Sequence, residues 1–176
     1  MRSLNGIKPQ DILILLKILV REDRPKWKSM DLAQELGLSP FEISVGLNRC
    51  LSSHFLDASK RKLMKSAFLE FILHGLKYVY PVQPGPVCRG IPTSHSAPPL
   101  AKKIVSNKDD QYVWPDSEGT MRGEAIEPIY KTAPLAAKND PQMYELLALV
   151  DAIRMGRARE QAVASNELKK RFKVAS

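Results

Sequence analysis

Between Ser29 and Leu51, two short apolar stripes flank Gly37-Leu38-Ser39-Pro40, and this punctuation constrains the local fold more than any other part of the 176-residue chain. Ser29 can cap a helix over Met30–Leu36, and Gly37 can close it in the left-handed conformation. Ser39 then caps a second helix. Pro40 suits its first turn, where a missing N–H costs nothing, and Glu42 follows three residues after the cap. Ile43, Leu47 and Leu51 recur at i, i+4 and i+8 and make one buried stripe. Leu32, Ala33 and Leu36 pack the first helix onto the second, with Ala33 small enough for close approach. So tight a turn projects the first turn of the second helix outward. The exposed positions are then Pro40, Phe41, Glu42, Ser44, Val45, Asn48 and Arg49.

Around this unit the chain reads as further helices and one hairpin. A helix from Pro9 to about Val20 carries Ile12, Leu15, Leu16 and Leu19 on one face. Leu63–His74 reads as another, ended by Gly75. Lys77–Val82 has the β-branched and aromatic content of a strand, Gln83-Pro84-Gly85-Pro86 a turn, and Val87–Ile91 a return strand. Residues 92–138 show no clear period and read as a proline-rich irregular linker. Asn139-Asp140-Pro141 starts a last long helix with Met143, Leu146, Leu147, Val150 and Ile153 as its stripe. Gly156 interrupts it before a basic helical tail. The expected division is residues 1–91, 92–138 and 139–176.

Charge narrows the partners. The net charge is +8, with +5 on residues 1–80, zero on 81–135 and +3 on 136–176, which favours an acidic partner such as nucleic acid. Cys50 and Cys88 are far apart and form neither a zinc motif nor a disulfide framework. His54, His74 and His95 are isolated, and Ser94-His95-Ser96 has no nucleophile elbow. No phosphate-cradling glycine loop occurs. The expectation is a non-enzyme without metal or cofactor. The opening MRSLNGIKPQ lacks an apolar signal core, and the longest apolar run, Ile12–Leu16, is too short to span a bilayer, so a cytoplasmic protein without a membrane partner is expected.

Leu32, Ala33, Leu36, Gly37, Leu38, Ser39, Ile43, Leu47 and Leu51 together resemble the helix-turn-helix of winged-helix bacterial transcription regulators of the broad MarR-like kind. The resemblance implies a mainly α winged helix-turn-helix domain with a β-hairpin wing, followed here by a C-terminal helical segment. It implies a regulator, in the main a repressor, that binds double-stranded DNA as a homodimer. Ser39 and Pro40 would bring the helix N-terminus to a phosphate, and Phe41 would face the groove beside them. Ser44 suits a base or the backbone, Asn48 an adenine, and Arg49 a phosphate or guanine. Lys60, Arg61 and Lys62 would grip phosphates, and Arg89 would enter the minor groove from a wing tip. The wing is either residues 78–91 or the basic turn at 57–63. The dimer surface would come from the stripes at 9–20 and 141–155, unless these pack within the chain. The alternative function is a winged-helix protein-interaction adaptor, or the antitoxin-type partner of a neighbouring gene product.

Overall fold

The computed structural model describes residues 6–174. Residues 1–5, which open the segment read for a secretion signal, and residues 175–176 lie outside the described residues. Helices α1 (Pro9–Val20), α2 (Ser29–Leu36), α3 (Pro40–Ser52), α4 (Lys65–His74) and α5 (Leu76–Val79) come first. Strands β1 (Val87–Pro92), β2 (Tyr112–Pro115) and β3 (Met121–Ala125) follow, and α6 (Ala133–Asn139), α7 (Pro141–Met155) and α8 (Ala158–Phe172) complete the described chain. The protein is mixed α/β, 53% helical with a small three-stranded sheet. The mainly α expectation included β1, read as Val87–Ile91, but missed β2 and β3. No helix among the described residues is long and apolar enough to cross a membrane.

Helix ends follow local chemistry. Pro9 opens α1, and the Asp11 carboxylate accepts the Lys8 N–H at 2.8 Å. The α2 cap falls one residue earlier than read: Lys28 precedes the first turn, and Asp31 accepts its N–H at 2.8 Å. Gly37, at φ +64°, closes α2 in the left-handed region. Asp140 Oδ1 accepts from Gln142 N at 2.9 Å to start α7, and Gly156 separates α7 from α8.

Two readings of the middle of the chain are corrected. Residues 77–82 do not form a strand. Leu76–Val79 is helical, Leu76 is buried, and Tyr80 Oη donates to Ile7 O at 2.6 Å. Strand propensity expresses fit to a half-buried pleated surface, and no partner strand is offered there. Nor is 92–138 an irregular linker. β1 pairs antiparallel with β2 (Ile91 opposite Trp114) and with β3 (Cys88 opposite Gly123), while β2 and β3 pair in parallel, so the sheet closes on itself. The expected boundary at 91 runs through β1. The hairpin lies instead at 56–63, where Leu56 and Leu63 form an antiparallel bridge.

One core runs from Ile12 to Phe172. Its axis is α1, buried on every side from Asp11 to Leu19 and packed on α2, α3 and α7. α7 is likewise buried from Leu146 through Arg154. The stripes expected to form a dimer surface are thus covered by the chain itself. Buried Lys17 of α1 pairs with Glu35 of α2 at 2.8 Å and Asp140 at 2.6 Å, joining three elements. Asp151 of α7 accepts from Thr93 Oγ1 at 2.7 Å, Trp114 Nε1 at 2.7 Å and Arg154 Nη1 at 2.8 Å, which anchors the sheet region to the helices.

Leu15→Ala and Leu149→Ala should each cost about 2–5 kcal/mol in urea denaturation and leave the sedimenting mass unchanged. A fall in mass on either substitution would put these helices at a subunit interface. Glu167 is buried and accepts from Lys103 Nζ at 2.7 Å, with Arg171 and Lys170 also bonding it. The Lys103 bond, then those of Arg171 and Lys170, hold its carboxyl at about 2, below the ordinary 4.5. Because the folded value is the lower one, this stabilisation is complete above about pH 4.5 and is lost as pH falls from there through about 2. Melting temperature against pH should lose part of its acid limb in Glu167→Gln.

Candidate nucleic-acid interface

α3 begins with a reciprocal cap. Glu42 N donates to Ser39 Oγ at 3.1 Å, and Ser39 N donates to Glu42 Oε2 at 2.8 Å. The Ser39 backbone N–H, then the Ser39 side chain, aided by Tyr130 and Lys131, hold the Glu42 carboxyl below its usual range. Tyr130 Oη reaches Glu42 Oε1 at 3.3 Å. The Ser39 hydroxyl and the Glu42 carboxylate are therefore committed to starting the helix. Ser39 and Pro40 are exposed beside them. Phe41, Ser44 and Asn48 are exposed further along, and Phe41 keeps 75% of its surface in solvent.

Arg49 does not share that face, a correction to the expected site. It is buried, and its guanidinium grips Asp11 of α1 in a two-pronged pair, Nε to Oδ2 at 2.7 Å and Nη2 to Oδ1 at 2.6 Å. The bond to Asp11 raises the guanidinium further above its already high value. Gly46 is buried at the same crossing. A Cβ there would sit 2.5 Å from Ile14 Cδ1 and 2.9 Å from Asp11 Oδ1. The inner face of α3 is thus Ile43, Gly46, Leu47 and Cys50, with Leu51 only half-buried. Burial pushes the Cys50 thiol far up, so it is an inert packing residue rather than a sensor.

Next to α3 stands the 56–63 hairpin. Asp57 organises its turn: Oδ1 accepts from Ser59 Oγ at 2.7 Å, Lys62 N at 3.1 Å and Arg61 N at 3.3 Å. The Ser59 bond, followed by those of the backbone, holds the Asp57 carboxyl down. Lys60 sits at φ +58° in the left-handed region. From there its Nζ donates to Asn48 Oδ1 at 2.5 Å, across twelve positions of sequence. Arg61 turns the other way. Its guanidinium lies 4.2 Å over the Trp27 ring and donates to the Trp27 carbonyl. It braces the hairpin against the 25–28 segment, a role that the sequence did not signal because Arg61 and Trp27 lie 34 positions apart. Lys62 is exposed and makes no ion pair among the described residues. Lys65, just past the hairpin, pairs with Glu22 at 2.8 Å.

Arg89 is not on this hairpin. It is exposed on β1, opposite Arg122 of β3. Of the expected site residues, the structure brings together Asn48 and Lys60, keeps Phe41, Ser44 and Lys62 in solvent, ties up Arg61 at Trp27, and removes Arg49. Ser94 and His95 are buried in a short 3₁₀ turn packed on α7, with His95 Nε2 2.7 Å from Asp110 O.

Arg49→Ala should strand a carboxylate that has no exposure to water and cost about 3–5 kcal/mol in denaturant unfolding. Adding Asp11→Leu should recover much of that loss; full stability of the single variant would show that the pair does not lock α3 to α1. Compared with known proteins, the chain matches no protein-family model, no curated protein and no solved structure.

Proposed function

We propose that the chain binds double-stranded DNA through α3 and the 56–63 hairpin, as a winged helix-turn-helix regulator does, and tunes transcription by occupying its site rather than by catalysis. The observation that carries this reading is the Lys60–Asn48 hydrogen bond, which seats a basic hairpin beside the exposed polar face of the second helix of the pair. Phe41, Ser44 and Asn48 then face base edges, where an aromatic ring suits a thymine methyl and hydroxyl and amide groups suit hydrogen bonds. Lys60 and Lys62 supply charge beside them, and exposed Arg24, Lys26 and Lys28 lie on the segment that Arg61 braces. The hairpin acts as the wing in this reading. The net charge of +8 draws the protein toward phosphate.

A homodimer reading an inverted repeat is no part of the proposal, because α1 and α7 are covered within the chain. A second reading, protein docking through the same helix, is favoured by the bare Phe41 ring on its first turn.

One chain meeting about three to five phosphates should lose about 40- to 500-fold in affinity between 50 and 200 mM salt. Lys62→Ala should lower the slope of log affinity against log salt by about 1 and leave melting unchanged. Fluorescence anisotropy on labelled upstream duplex measures both. A folded protein that binds no duplex at 50 mM salt would end the DNA reading in favour of docking.

A further inference from the structure

We infer that Asn48 and Lys60 act as one reading unit that selects guanine and rejects adenine in the major groove; this rests on the DNA reading above and deepens it. An asparagine alone is suited to adenine: its carbonyl accepts from the N6 amino group while its amide donates to N7. Here one lone pair of that carbonyl is already taken by a cation. Asn48 Oδ1 lies 2.5 Å from Lys60 Nζ. A lysine ammonium has three donors and no acceptor, so the amide atom facing it has to be the oxygen. The Asn48 NH₂ group is therefore turned away from the hairpin, and the pair presents mainly donors outward, from Asn48 Nδ2 and from the remaining Lys60 N–H bonds, with one carbonyl lone pair left beside the ammonium.

The bases differ in what they offer to such a surface. Guanine shows two adjacent acceptors, N7 and O6. Adenine sets a donor beside its acceptor, cytosine shows a donor, and thymine one acceptor next to a methyl group. Only guanine accepts from both members of the pair without leaving a donor facing a donor. The geometry is held before any DNA arrives. Lys60 N donates to Asp57 O at 2.9 Å, and the Asp57 carboxylate ties the backbone N–H groups of Arg61 and Lys62. Arg61 fixes the far side of the turn on Trp27. Little ordering cost is thus left for the complex, which is the condition under which two donors discriminate well.

Selection of bound duplexes from a random library at 50 mM salt, followed by anisotropy on the selected site, tests the inference. The Asn48 position is the base pair at which Asn48→Ala loses its preference. Wild-type protein should show guanine there, and guanine to adenine should weaken binding about 5- to 150-fold, the range of a good two-bond base contact. 7-Deazaguanine at that base should weaken it as well. Lys60→Met releases the Asn48 carbonyl and should shift the preference toward adenine with melting unchanged. Adenine selected by the wild type, or a guanine preference that survives Lys60→Met intact, overturns the inference and leaves DNA binding standing. A folded protein that selects no duplex overturns both.

Discussion

A carboxylate with no access to water has to be met by a cation, and the orientation of α3 follows from how this chain meets that demand. Asp11 is fully buried near the start of α1. Its two oxygens take the Lys8 N–H and both prongs of Arg49. Because Arg49 is spent inward, α3 is rotated so that Ile43, Gly46, Leu47 and Cys50 face α1, and Phe41, Ser44 and Asn48 are left outside. Gly46 makes this possible. A glycine inside a helix costs about 1 kcal/mol of propensity relative to alanine, and here it lets α1 approach closely enough for the guanidinium to reach the carboxylate.

The outer face of α3 gains its chemistry from a second constraint, the eight-residue span from Leu56 to Leu63. A loop this short and this basic would repel itself if its charges converged. Its lysines and arginine instead diverge: Lys60 bends toward Asn48, Arg61 lies on Trp27, and Lys62 points to solvent. Asp57 supplies the counter-charge at the turn's centre and organises it through backbone donors. The aromatic chain Phe55, Phe68 and Phe172, with ring centres 5.5 and 5.8 Å apart, carries the base of this hairpin into α4 and α8. The surface proposed to meet DNA is thereby tied to the far end of the chain.

The second half of the protein is joined to the same core by a buried polar cluster rather than by a linker. Asp151 collects donors from Thr93, Trp114 and Arg154, and Arg154 also donates to the Tyr80 carbonyl at 2.9 Å. Helix α6 reaches back to α2, where Leu135 and Thr132 lie against Gly37. These contacts explain why residues 92–138, for all their prolines, fold: the prolines and short strands are held by neighbours distant in sequence.

What the sequence determined by itself was local. Pro9, Gly37, Ser39-Pro40, Asp140-Pro141 and Gly156 mark helix ends through φ restrictions and side-chain caps that need no distant partner, and the α1, α3 and α7 boundaries follow from them. The exposed Phe41, Ser44 and Asn48 were legible from helical spacing. Arg49 was misplaced because an arginine one turn from a leucine stripe reads as solvent-facing unless its buried partner, 38 residues away, is known. The mid-helix Gly46 was the one available sign of a close crossing. Of the sheet, β1 was legible as the strand read at Val87–Ile91, while β2, β3 and their pairing were missed because the strands are short and pair through residues up to 37 positions apart, as Val87 with Glu124. Which charges lie free, which are buried and which are shared, down to the bond between Lys60 and Asn48, was decided only in the tertiary structure. Desolvation and ion pairing depend on what surrounds a group in space, and spacing along the chain does not record it.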